Sequence, residues 1–171
     1  MSGSVLVTWA TKYGSTEEVA QTVAAVLRDE GIAVDARRPL HEIETLDRID
    51  AVVLGCALYM GRMHRDVRRF LSTHRHALGR MPVAIFVLGP VHKEEGEFAQ
   101  ARRHVDKGLA RFPWLHPQAL EIFGGAWNPA KLGIPFRWTL RSVPALDARD
   151  WDAIRSWAHT VAAGLHSGVA K

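Results

Sequence analysis

The feature that most constrains this chain is its first twenty residues, where an apolar, β-branched run ending at Ala10 gives way to Thr11-Lys12-Tyr13-Gly14-Ser15-Thr16 and then to a helical pattern. A short apolar run, a turn rich in hydroxyls and Gly, and a 3.6-residue periodicity read in that order as strand, tight loop and helix N-terminus. The first N–H groups of a helix have no intrahelical partner and stand at the positive end of the helix dipole. With the hydroxyls of Thr11, Ser15 and Thr16 and the flexible Gly14 beside them, they form a seat for a phosphate. The competing reading is an ordinary βα turn in which Ser15 caps the helix and Glu18 completes a capping box. Other phosphate loops are excluded, because neither Gly-x-x-x-x-Gly-Lys-Ser/Thr nor Gly-x-Gly-x-x-Gly is present.

Behind this unit the chain alternates between strand and helix. Val19, Val23, Val26 and Leu27 recur at helical spacing until Gly31, and residues 32–36 read as a short second strand. Residues 37–48 are polar, contain Pro39, and read as a loop with a short helix over Ile43 and Leu46. Residues 51–55 are a continuous apolar run, as expected of a central parallel strand covered on both faces. Residues 56–62 follow as a loop, and then a helix over 64–78 with Val67, Phe70, Leu71 and Leu78 inward. A fourth strand spans 82–89, a loop 90–96, and a helix carries the stripe Phe98, Ala101, Val105, Leu109 and Phe112. A fifth strand at 120–124 and a last helix over 148–165 complete the series. Such alternation argues a parallel sheet with right-handed crossovers and helices on both faces.

Thr11-Lys12-Tyr13-Gly14-Ser15-Thr16 resembles the FMN-phosphate loop of the flavodoxin superfamily, Thr/Ser-x-x-Gly-x-Thr directly after the first strand. That resemblance implies an α/β, flavodoxin-like three-layer sandwich over residues 1–171 as a single domain, with a five-stranded parallel sheet in the order 2-1-3-4-5. In that order the switch point lies between strands one and three, and ligands bind outside their carboxyl ends. The loops brought together there would be Thr11 to Thr16, then Ala57, Leu58, Tyr59, Met60 and Gly61, then Gly89, Pro90, Val91 and His92. Tyr59 is placed to stack on an isoalloxazine and Gly61 to admit backbone close to it. The last loop would offer backbone groups to the pyrimidine edge. A phosphoacceptor receiver domain has the same strand order but needs acids after the first strand and an aspartate after the third, where Ala10-Thr11 and Gly55-Cys56 stand.

Composition sorts the functional classes. The chain of 171 residues, 47% apolar, can bury a core without disulfides, and the lone Cys56 suits a reducing compartment. Cys56 reads as a small buried hydrophobe, and the histidines, His64 and His92 included, show no metal-ligand spacing. No apolar stretch approaches a membrane span and none resembles a signal peptide, so the expected location is cytoplasmic. Lys plus Arg number 22 against 18 for Asp plus Glu, unlike the acidic electron-carrying flavodoxins, and the excess suits an anionic substrate or membrane surface. No helix-turn-helix, zinc or RNA-binding signature points to nucleic acid.

The segment 126–146 mixes Trp127, Phe136 and Trp138 with Lys131, Arg137 and Arg141 and has no acid, a composition suited to headgroups or to a lid over an amphipathic substrate. The order of phosphate loop, Gly55 to His64 with its Tyr59-Met60-Gly61, this aromatic and basic segment, and Asp150-Trp151 at a helix start is similar to the menaquinone-dependent protoporphyrinogen oxidases and their flavodoxin-domain relatives. The long basic insertion of that family is shortened here to residues 126–146. The resemblance implies FMN, an oxidoreductase passing electrons from a porphyrinogen or similar donor to a quinone, and peripheral contact with the inner face of the membrane. The alternatives are an electron carrier serving a protein redox partner without a substrate of its own, and a flavin-free interaction module.

Overall fold

A computed structural model describes residues 4–37, 42–92 and 94–168. Along the chain come β1 (Ser4–Trp9), α1 (Ser15–Asp29), β2 (Val34–Arg37), β3 (Ile49–Tyr59), β4 (Arg62–Met63), α2 (Arg65–Thr73), α3 (Arg75–Leu78) and β5 (Val83–Leu88). They are followed by α4 (Glu95–Leu109), β6 (Ala119–Phe123), β7 (Ala126–Trp127), α5 (Phe136–Thr139), β8 (Leu146–Asp147) and α6 (Trp151–Gly168). The main sheet runs β2-β1-β3-β5-β6 and every neighbouring pair on that path is parallel. Because β4 is only an antiparallel partner of β3, β5 and β6 are the fourth and fifth parallel strands, and the order 2-1-3-4-5 expected from the sequence is the order observed.

Alternation along the central strands builds two separate cores. Ala51, Val53 and Ala57 of β3 and Ala84, Phe86 and Leu88 of β5 face α1 and α6, where Val19, Val23, Leu27, Ile154 and Trp157 close the layer. Val52, Leu54 and Cys56 with Val83, Ile85 and Val87 face α2 and α4, meeting Val67, Phe70, Leu71 and Val105. Both faces of β3 and β5 are therefore dry, and the five parallel strands sit between helical layers as the continuous apolar runs require.

The structure corrects several local expectations. Residues 56–62 are not a loop: β3 continues through Tyr59 and turns at Met60-Gly61 into β4. The helix over 64–78 is interrupted at His74, which ends α2 and precedes α3. No helix forms over Ile43 and Leu46, whose side chains are nevertheless buried in the α2–α4 core. Pro39 and Lys93 lie outside the described residues. The segment after β6 departs from the layers altogether. β7 and β8 pair antiparallel, Ala126 with Asp147 and Trp127 with Leu146, and close the neck of an excursion over 128–145 that carries α5.

Candidate functional site

β1 delivers the phosphate-loop residues to the carboxyl edge of the sheet. Gly14 takes the left-handed conformation (φ 90°) at the N-cap of α1, a backbone state that favours glycine, and no side chain among the described residues caps the helix. The capping box of Ser15 with Glu18 is thus not formed. Thr11 Oγ1 accepts the Gly14 N–H at 2.9 Å, which leaves its own hydroxyl hydrogen to donate. Thr16 is completely buried and its Oγ1 has no hydrogen-bond partner among the described residues. A buried hydroxyl without a partner is costly, and an acceptor brought to the helix N-terminus would relieve it.

The second part is a hairpin. Met60 (φ 49°) and Gly61 (φ 72°) are both left-handed, the signature of a two-residue type I′ turn between β3 and β4. A Cβ on Gly61 would stand 2.6 Å from the His104 ring, so glycine is required there twice over, by φ and by the close approach of α4. Met60 is fully exposed at the tip. Tyr59 ties the hairpin to the phosphate loop: its hydroxyl accepts the Lys12 N–H at 3.1 Å, and its ring meets Tyr13 edge-on at 6.0 Å. Partial burial pushes the Tyr59 phenol above its ordinary range, so it stays a protonated donor and acceptor.

The third loop is held from behind. Gly89 N–H donates to the Phe123 carbonyl at 2.9 Å, and Gly125 N–H to the Pro90 carbonyl at 2.7 Å. Gly89, Pro90 and Val91 border one cavity of about 480 Å³ with Leu58, Met60 and Gly61, and α4 closes it with Gln100 and His104. The structure therefore brings the three segments together around Tyr59 and the hairpin. His92 is exposed outside that lining, and Ala57 is buried in the core. His64 instead serves α2, its Nδ1 standing 3.3 Å from the Asp66 N–H as the cap. Cys56 is fully buried, and desolvation pushes its thiol up to about 12, which rules out a ready nucleophile.

Arg149 was not singled out in the sequence and Lys131 was read only as a cation of the 126–146 segment, yet both reach this loop. Arg149 NH1 donates to Glu18 at 2.6 Å and NH2 to Asp147 at 2.6 Å, with NH1 also 3.4 Å from the Ser15 carbonyl. Lys131 Nζ lies 3.5 Å from Glu18, and 4.0 Å from where a Cβ on Gly14 would be. The Arg149 guanidinium, followed by Lys131, holds the Glu18 carboxyl below the ordinary carboxylate range, and Asp147 and Glu18 in turn raise Arg149. The contacts with Glu18 and Ser15 join residues more than a hundred positions apart, so no local motif announces them.

A doubly wound parallel sheet with a hydroxyl-bearing loop at a helix N-terminus beside its switch point defines the class. The model of the Flavodoxin domain family matches residues 6–152, and the chain belongs to that family. It is 26% identical to the protoporphyrinogen IX dehydrogenase [quinone] of Escherichia coli K12, over 92% of this chain and 93% of that one. Among solved structures, oxidised flavodoxin 2 from Bacillus cereus superposes with a TM-score of 0.52 at 22% identity, over 70% of this chain and 83% of that one. Rubredoxin oxygen:oxidoreductase from Desulfovibrio gigas gives 0.63 at 16% identity, over 98% of this chain and 37% of that one.

Proposed function

We propose that residues 1–171 form a single FMN-binding domain that acts as an oxidoreductase, passing electrons from a porphyrinogen or similar donor to a quinone. The observation that carries the reading is the orphaned Thr16 Oγ1 at the N-terminus of α1. In it Thr11, Ser15 and Thr16 donate hydroxyls to the FMN phosphate, with the loop backbone of Lys12, Tyr13 and Gly14 around it. Tyr59 lies against the isoalloxazine, flanked by Leu58, Met60 and Gly61, while Gly89 to His92 border the pyrimidine edge. When bound, the flavin supplies the electron and hydride chemistry. The chain's own part is to bind, orient and exclude water.

The 26% identity to a quinone-linked protoporphyrinogen IX dehydrogenase supports the enzyme over a carrier without a substrate. Among the described residues no helix is long and apolar enough to cross a membrane. Ile134, Phe136 and Trp138 are exposed on the 128–145 excursion beside Arg137 and Arg141, which supports peripheral attachment of a cytoplasmic protein to an anionic inner membrane face.

Thr16→Val tests the cofactor. It removes the hydroxyl but keeps the volume, so the apoprotein should keep or gain thermal stability while FMN binds ten-fold or more weakly, in line with ~1.5–3 kcal/mol for a hydrogen bond to a charged group. FMN affinity unchanged in Thr16→Val, Thr11→Ala and Ser15→Ala alike overturns the reading.

A further inference from the structure

Beside the hairpin is a second cavity, of about 360 Å³, that shares Met60, Gly61 and His104 with the one bordered by Gly89, Pro90 and Val91. Its walls carry Arg62 from β4, Arg68 from α2, and Lys107 and Arg111 from the end of α4 and just beyond, and no carboxylate lines it. His104 and Lys107, three residues apart, share one face of α4, and Arg111 joins them from the turn that follows the helix. None of the four cations forms an ion pair among the described residues, and the acids nearest to them in sequence are engaged elsewhere. Asp66 pairs with Arg65, and Asp106 with Arg102. Arg68 Nε is shielded from solvent and has no hydrogen-bond partner among the described residues.

Positive charges gathered in one concavity without a counter-charge repel each other, and a bound anion relieves that repulsion. Guanidinium forks favour oxyanions that accept two parallel hydrogen bonds, carboxylates and phosphates alike. The same cavity includes the thioethers of Met60 and Met63, an apolar floor between the cations and the hairpin. Its volume is that of a small-molecule site and not of a flat protein-docking face.

We propose that this cavity is the anion subsite of the electron donor, taking a small molecule that bears two or more carboxylates on an apolar body. The body lies over Met60 and Met63, the carboxylates on Arg62, Arg68, Lys107 and Arg111, and the remainder reaches the hairpin edge. Its role as a donor subsite rests on the FMN reading, whereas its ability to bind the anion does not.

The test titrates benzene-1,2,4,5-tetracarboxylate into the full chain, before and after saturation with FMN. Arms use its tetramethyl ester and inorganic pyrophosphate. The tetracarboxylate should bind and the ester should not. The double variant Arg68→Gln/Lys107→Gln should lose about ten-fold or more in affinity, as expected for charge-assisted pairs, with FMN affinity unchanged. The charge-matched variant Arg28→Gln/Arg155→Gln, on α1 and α6, should bind like the parent. Equal weakening in both double variants reduces the effect to net charge and overturns the site. Pyrophosphate binding in place of the tetracarboxylate overturns the ligand class. If FMN fails to bind while the tetracarboxylate still titrates, the flavin reading falls and the anion site stands.

Discussion

Cations flank the hairpin and the phosphate loop alike, but they are used in opposite ways. At the phosphate loop Arg149 is almost enclosed, its side chain 9% exposed, and bonded to Asp147 and Glu18, while Lys131 also faces Glu18. At the hairpin Arg62, Arg68, Lys107 and Arg111 have no carboxylate opposite them among the described residues. The first group is structural: it fastens the excursion and the start of α6 to the first turn of α1. It also offsets the charge of Glu18, a carboxylate that would otherwise oppose an anion at the same helix end. The second group holds nothing together. Whether a basic residue serves the fold or a ligand is thus decided by the partner the fold supplies, and composition alone cannot distinguish the two.

The comparison breaks most visibly in stability. Arg149→Met removes the guanidinium that bonds Glu18 and Asp147 and lies 4.8 Å over the Trp151 ring, so it should cost about 1–3 kcal/mol, discounted for the half-exposed acids. Arg68→Met removes no pair and should stay within ~0.5 kcal/mol. Urea midpoints of the two variants check this. A larger loss in Arg68→Met than in Arg149→Met would reverse the assignment of roles.

The sequence carries the sheet and its first loop well, because both are written locally. Apolar runs at 51–55 and 82–89 have no other use than central strands, and a Gly before Ser-Thr at a helix start is a short-range signal. The hairpin was missed for a physical reason. Type I′ turns prefer Asn-Gly, and Met60 in a left-handed conformation gives no such cue, so Tyr59-Met60-Gly61-Arg62 reads as loop. His74 ends α2 without a Gly or Pro to mark the break. The absent helix over Ile43 and Leu46 shows burial without periodicity: two apolar residues anchor a coil to the core. Arg149 and Lys131 were illegible because their significance depends on Glu18 across the fold.

Tyr59 sharpens the contrast at the seam between the two regions, since its hydroxyl accepts the Lys12 N–H from the phosphate loop. Tyr59→Phe keeps the ring against Tyr13 but removes that acceptor. The expected cost is about 0.5–1.5 kcal/mol, with faster hydrogen exchange at the Lys12 amide. Exchange unchanged at Lys12 would mean that the hairpin and the phosphate loop are held independently.

The smallest effect concerns Glu18 and pH. The hydrogen bond from Arg149 leads the causes that hold its carboxyl below the ordinary value of 4.5, with Lys131 adding to it. A carboxyl depressed in the folded state stabilises it fully above the unfolded-state pKa, and that contribution fades as pH falls through the folded-state value. Its window therefore opens near pH 4.5 and extends downward. Because the Glu18 side chain is 48% exposed, the contribution falls in the range of ~0–1 kcal/mol found for surface pairs. Stability measured by urea between about pH 6 and 3 should fall more steeply for the parent than for Glu18→Gln, the two curves converging at the acid end. In an Arg149→Met background the difference should shrink, because the main source of the depression is gone. Parallel curves in the parent background would show that Glu18 gains nothing from its cations.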